Sequence, residues 1–209
     1  MNATAGFYRV AYRVGFHPWE DAEHEEDFVA TISALLEREE ERRTPPYGRA
    51  LDVGTGSGIW GVELARRGWQ VTGIDAVQAA LRRARRRVDD AEVEMTLVHG
   101  DVTDLTAAGV GDGFRLVLDT GTFHGLTPAQ RRAMGREVDT VAADDATALL
   151  LVWQPKRRGP LPHGASAEEV EACFPGWKVT DVLPSHFKAP APVERLLTPD
   201  EHWYRLRRE

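Results

Sequence analysis

The chain has 209 residues, a formal net charge of -7, 42% hydrophobic residues and one cysteine, Cys173. That length suits a single α/β domain with a short cap, and a lone cysteine excludes both an intrachain disulfide and a cysteine-built metal cluster. The acidic balance argues against general nucleic-acid binding, and no apolar run approaches the length of a membrane span. Met1 to Phe16 lacks the unbroken apolar core of a secretory signal, so a cytoplasmic location is expected.

The first segment is rich in aromatics: Phe7, Tyr8, Tyr12, Phe16 and Trp19 precede a stretch dense in carboxylates from Glu20 to Asp27. Nothing there repeats at metal-ligand spacing, so the acids read as a charged helix start. Phe28, Val29, Ile32, Leu35 and Leu36 then form one apolar stripe in a helix expected over 21–43, which Thr44-Pro-Pro-Tyr-Gly48 ends. Residues 1–45 are thus expected to be a helical cap or lid, and 46–209 the core.

From Ala50 to Asp75 the pattern is strand, glycine turn, helix, strand. Ala50 to Val53 is a short apolar strand, Gly54, Gly56 and Gly58 make the turn, and Ile59 to Arg67 has helical apolar spacing. Gln70 to Ile74 is the next strand, closed by Asp75. Glycines admit positive φ and a close ligand, and an acid after the second strand can take both hydroxyls of a ribose. The run Gly56-Ser-Gly58-Ile-Trp-Gly61 also fits a dinucleotide spacing, which leaves a nicotinamide-type cofactor as the competing reading. Asp52 discriminates between the two. A carboxylate here repels a pyrophosphate but favours a cationic ligand, and the turn starts at Gly54, directly after the strand.

The arginines between Leu81 and Arg87 fall all around a helix and read as a solvated face rather than a nucleic-acid patch. Further strands are expected at 93–98, 114–118 and 147–153, with a helix at 128–142. Ser166 and Glu169 form a capping box for a helix reaching about Phe174. The tail offers strands at 177–183 and 202–207 around a proline-rich loop. Alternation of strand and helix implies a parallel sheet covered on both faces, with ligands beyond the carboxyl ends of its strands. Those ends deliver Asp52, Asp75, Gly100-Asp101-Val102 and Asp119 to His124.

In this order the motifs resemble those of the class I S-adenosylmethionine-dependent methyltransferases, over nearly the whole chain. The resemblance implies a Rossmann-like, seven-stranded, mostly parallel sheet with helices on both faces and a C-terminal antiparallel hairpin. It implies S-adenosyl-L-methionine as cofactor, held by Asp52, Gly54, Thr55, Gly56, Gly58, Asp75, Ala76, Asp101, Val102 and Asp119. In that family the equivalent of Asp101 accepts a hydrogen bond from the adenine amino group while the Val102 amide meets the ring. Pro18-Trp19-Glu20 is similar to a Pro-Trp-Asp element of thiopurine and heterocyclic-toxin methyltransferases, which brings Trp19 into the cofactor set.

Asp119 to His124 stands where the family shapes the reacting end of the cofactor. The chain has neither the Asn/Asp-Pro-Pro-Tyr type of motif nor a Pro-Cys nucleophile, which points to in-line methylation of oxygen, sulfur or nitrogen on a small molecule. Asp119 and His124 are the candidate catalytic residues: imidazole titrates near neutrality and suits a base, although a histidine that packs or caps the next helix is the other reading. A non-catalytic S-adenosylmethionine-binding protein is the third function class considered. The expected partner is a small methyl acceptor, with no nucleic acid, membrane or metal, and the expected state a monomer or homodimer.

Overall fold

Seven strands pair into one sheet in the computed structural model, which describes residues 25–41, 43–156, 163–186 and 200–209. They are β1 (Arg49–Val53), β2 (Gln70–Asp75), β3 (Met95–His99), β4 (Phe114–Asp119), β5 (Ala142–Trp153), β6 (Trp177–Pro184) and β7 (Glu201–Arg208). The order is β3-β2-β1-β4-β5-β7-β6. β1 to β5 run parallel, while β7 pairs antiparallel with both β5 and β6. The expected fold class and terminal hairpin are therefore present. Strand order reverses between β1 and β4, and the crevice at that switch is where an open α/β sheet takes a ligand.

Helices α1 (Glu26–Glu40), α2 (Ile59–Arg67), α3 (Gln78–Asp90), α4 (Leu105–Ala108), α5 (Pro128–Val141) and α6 (Ala167–Glu171) complete the described elements. The stripe of α1 is buried as its spacing predicts: Phe28, Ile32, Leu35 and Leu36 pack with Leu64 of α2 and with Trp69, Leu149, Leu151 and Trp203. The opposite sheet face joins Val53, Ile74 and Val117 to Met134 and Val138 of α5 and to Phe174 and Trp177. On α3 one side buries Ala80, Leu81, Ala84 and Val88 while Arg82, Arg85 and Arg86 are exposed, as expected of a solvated basic face. No helix among the described residues is long and apolar enough to cross a membrane.

Several boundaries differ from the sequence reading. α1 ends at Glu40 rather than Arg43, and residues 21–24 lie outside the described ones. β5 begins at Ala142, directly after α5, not at Thr147; its added residues carry a register shift against β4, so their burial does not alternate as strand residues normally do. α6 has its capping box at Ser166 and Glu169 but stops at Glu171. α4 and a 3-10 turn at Phe123–Gly125 were too short to read from periodicity.

A buried ion pair ties α1 to the far edge of the chain. Arg205 Nε donates to Glu39 Oε1 at 2.6 Å, and Thr147 Oγ1 donates to Glu39 Oε2 at 2.8 Å. The guanidinium and the carboxylate are 6% and 7% exposed, so each needs the other to offset its desolvation.

Candidate active site

Three carboxylates meet at the carboxyl ends of the central strands. Asp52 on β1, Asp75 on β2 and Asp119 on β4 are 1%, 9% and 0% exposed. Each is held differently, and the differences set what each can do.

Asp75 joins two turns. Its Oδ1 accepts from the Val77 amide at 2.7 Å, and its Oδ2 accepts from the Gly56 amide at 2.9 Å, so the turn after β2 and the glycine turn after β1 share one carboxylate. Burial raises its pKa, opposed by those amides and by nearby His99. Asp119 caps its own turn: Oδ1 accepts from Gly121 and Thr122 at 2.8 and 2.6 Å, and Oδ2 accepts from Phe123 at 2.8 Å. Amide donors favour the ionised form, yet burial outweighs them and pushes Asp119 up to about 6.

Asp52 has the least support. Thr55 Oγ1 lies 2.5 Å from its Oδ2, and the Gly61 amide of α2 adds a backbone contact. Burial first, and then the charges of Asp119 and Asp75, push Asp52 up to about 7. Thr55 is fixed by this contact and by its amide, which donates to Ile74 O at 2.9 Å. A cluster of three buried acids is a poor place for a pyrophosphate and a good one for a cation.

The glycine turn has the positive φ values expected of it, at Gly54, Gly56 and Gly58. Gly54 has φ of +68°, and a Cβ there would collide with the Thr122 side chain; Gly58 has φ of +80°, and a Cβ would sit 3.0 Å from Ala84 Cβ. At these two positions the clearance is filled by the chain itself, drawing the β4 turn onto β1 and α3 onto α2. Gly56 is the one whose amide is fastened to Asp75.

Asp101 is exposed, and its Oδ1 accepts from both the amide (2.9 Å) and the hydroxyl (2.7 Å) of Thr103. The capping interaction is thus present just beyond the end of β3. Val102 is buried in the core, and Ala76 is exposed with its carbonyl 3.2 Å from His99 Nε2. Trp19 lies outside the described residues.

His124 is 7% exposed and lies flat against Trp153, the last residue of β5, with ring centres 4.8 Å apart and planes 14° from parallel. Packing is therefore part of its role. Arg131 of α5 organises this wall, a function no local spacing announces. Its Nε, Nη2 and Nη1 donate to the carbonyls of Phe123 (3.2 Å), His124 (2.8 Å) and Gly164 (2.8 Å). Its guanidinium stands 5.1 Å from the Phe123 ring centre. Burial lowers its pKa, and no carboxylate is bonded to it among the described residues. Trp153 in turn donates to Glu201 at 2.6 Å, and Gln154 donates to Tyr204 Oη at 2.6 Å. Ser57 was also missed: its hydroxyl is buried inside the glycine turn with no hydrogen-bond partner among the described residues.

The pieces are a cation-favouring acid cluster, a glycine turn fastened to the acid after β2, and an aromatic wall beyond β4 and β5. They fit S-adenosylmethionine, which carries an ammonium and a sulfonium but no phosphate.

Comparison with known proteins agrees. The sequence model of a methyltransferase domain matches residues 50–145. The 2-heptyl-1-hydroxyquinolin-4(1H)-one methyltransferase of Mycobacteroides abscessus is 30% identical over 148 residues, 68% of this chain, and the chain spans 64% of that relative's length. A protein solved in work on the conversion of a disulfide bond into a thioacetal group during echinomycin biosynthesis superimposes with a TM-score of 0.73 at 25% identity, covering 98% of this chain and 93% of the other. The Burkholderia thailandensis 1,6-didemethyltoxoflavin-N1-methyltransferase, solved with S-adenosylhomocysteine, shares the fold at a TM-score of 0.73 and 17% identity, covering 98% and 86%. By motif, fold and relatives alike, the chain is similar to the class I S-adenosylmethionine-dependent methyltransferases, and its residues 50–145 match a methyltransferase domain.

Proposed function

We propose that this chain moves a methyl group from S-adenosylmethionine to an oxygen, sulfur or nitrogen atom of a small, flat acceptor. The observation that carries the reading is the cluster of Asp52, Asp75 and Asp119, buried together at the strand ends beside the glycine turn. When bound, the cofactor supplies a methyl group already activated by its sulfonium, so the protein has mainly to align, desolvate and, for weakly acidic acceptors, remove a proton.

Asp75 is assigned to the ribose hydroxyls: its oxygens hold two amides and keep acceptor capacity. Asp52 faces the cationic end, with Gly54, Thr55, Gly56 and Gly58 shaping the floor. Asp101 and Val102 take the adenine, with Ala76 alongside. Asp119 shapes the turn at the reacting end rather than exchanging protons, since both its oxygens are engaged by amides. His124 and Trp153 form an apolar, stacked surface suited to an aromatic acceptor. His124 is the candidate base at that surface.

The quinolone named for the M. abscessus relative has this character, a flat ring system with an acidic N-hydroxyl, and is the first acceptor to try. An acidic hydroxyl ionises without help, in which case His124 serves by contact alone. The reading also keeps residues 1–45 as cap, with 1–20 as lid and Trp19 as a cofactor contact, in a cytoplasmic monomer or homodimer. It disfavours a nicotinamide oxidoreductase, because a pyrophosphate has no place against Asp52.

Calorimetric titration with S-adenosylhomocysteine, with NADH in parallel, tests it. Micromolar binding of the first alone, about -8 kcal/mol, supports the methyltransferase site, whereas binding of NADH alone replaces it with an oxidoreductase. Tight binding without methylation of the quinolone, phenols, thiols or heterocycles favours the non-catalytic alternative. Loss of turnover on removing residues 1–20 supports the lid, and normal turnover removes it.

A further inference from the structure

The three buried acids are not equivalent. Asp75 and Asp119 each engage both oxygens with backbone amides, two for Asp75 and three for Asp119. Such donors stabilise a carboxylate in place. Asp52 has one hydroxyl partner, Thr55 Oγ1, which can accept as readily as donate, and it is 1% exposed.

Its surroundings supply no positive charge. β2 brings Asp75 and β4 brings Asp119, both raising the cost of a charge on Asp52. α2 contributes only the Gly61 amide, and a Cβ on Gly61 would lie 3.0 Å from Asp52 Oδ2 and also meet the uncharged Met95 of β3. His99 at the end of β3 acts on Asp75 instead. No lysine or arginine among the described residues is among the groups acting on Asp52. Three carboxylates sharing one dry site cannot all ionise cheaply, and a proton goes to the least supported of them.

We infer that the Asp52 carboxyl holds a proton in the free protein and releases it to solvent as the ammonium-bearing end of the cofactor enters. The inference rests on the methyltransferase reading and adds a mechanism for recognition: the neutral carboxyl of the free protein becomes the counter-ion of the bound form. The exchange balances, with one O–H bond broken, one hydrated proton released, and one carboxylate left against the ligand's ammonium. A nucleoside without an ammonium triggers no release, so the proton distinguishes the full cofactor from its fragments.

The test is calorimetric titration of the full chain with S-adenosylhomocysteine from pH 5.5 to 8, in pairs of buffers with different ionisation enthalpies. The expected result is close to one proton released per ligand near pH 6, fading above pH 7, with affinity rising about tenfold per pH unit below pH 7 and then levelling. 5′-Methylthioadenosine, which keeps the nucleoside and lacks the amino acid, is expected to bind without releasing a proton. Asp52→Asn is expected to give weak binding with a flat pH profile; if that variant does not fold, the comparison of the two ligands on the unaltered protein still decides. S-adenosylhomocysteine binding that is equally tight throughout and exchanges no proton overturns the inference, as does equal proton release by 5′-methylthioadenosine. Absence of any S-adenosylhomocysteine binding is a different failure, that of the methyltransferase reading itself.

Discussion

The two halves of the crevice are built on different principles. Around β1 and β2 most bonds that shape the site span few residues: Thr55 reaches Asp52, Asp75 reaches Val77, and Gly56 reaches Asp75 across a single strand–turn–helix–strand unit, with Thr122 Oγ1 donating to Val53 O as the long-range exception. Beyond β4 and β5 the wall is assembled at long range, by Arg131 reaching Gly164 33 residues away and Trp153 reaching Glu201 48 residues away. The first half can be carried largely intact from protein to protein, because one unit contains most of it. The second depends on how several segments happen to meet, which suits a surface that differs with each acceptor.

The contrast can be broken at either end. The largest expected effect is Gly54→Val, which drives a branched side chain into Thr122 at a positive φ; thermal melting should show a loss of about 4 kcal/mol or more, with no cofactor binding. Arg131→Ala comes next. It leaves the carbonyls of Phe123, His124 and Gly164 without their donor and should cost about 2–3 kcal/mol of stability. The acceptor KM should rise several-fold while S-adenosylhomocysteine affinity holds, and an equal loss in both would show that the two halves are not independent.

Asp52 has a smaller, pH-dependent effect. Burial raises its folded pKa from about 3.8 to about 7, so the free native state holds the extra proton and stability declines as pH rises through that window. Melting of the ligand-free protein should therefore drop between pH 5 and 8. Asp52→Asn should stabilise it at pH 8 by on the order of 1–2 kcal/mol while weakening cofactor binding. Asp101→Ala is the mildest. With the carboxylate exposed, it should lower S-adenosylhomocysteine affinity by about 1 kcal/mol, and an unchanged affinity would reduce Asp101 to a turn cap.

How legible each feature was in the sequence follows the same division. β1, β2 and α2 lie where their patterns place them, because strand alternation, glycine turn and helical spacing are all local signals. The first residues of β5 were missed because Ala142-Ala-Asp-Asp145 has no strand signature and joins the sheet through an irregular register. Position along the chain picks out Asp52, Asp75 and Asp119, but which of them is already occupied by amides emerges only in the folded structure. Nothing in the local pattern sets Arg131 apart from Arg132 and Arg136 in the helix expected over 128–142. Its task depends on Gly164 approaching from elsewhere in the chain, which composition and spacing do not encode.

The pair between Glu39 and Arg205 has a consequence for how the molecule comes into being. A chain emerging from the ribosome makes Glu39 166 residues before its counter-charge. Until β7 arrives, packing α1 fully onto the sheet would bury a carboxylate without its cation, at a cost of several kcal/mol. Helix α1 is thereby kept from settling until β7 is available. A translation product cut short before Arg205 should remain open and be removed by quality control, rather than persist as a partly assembled enzyme.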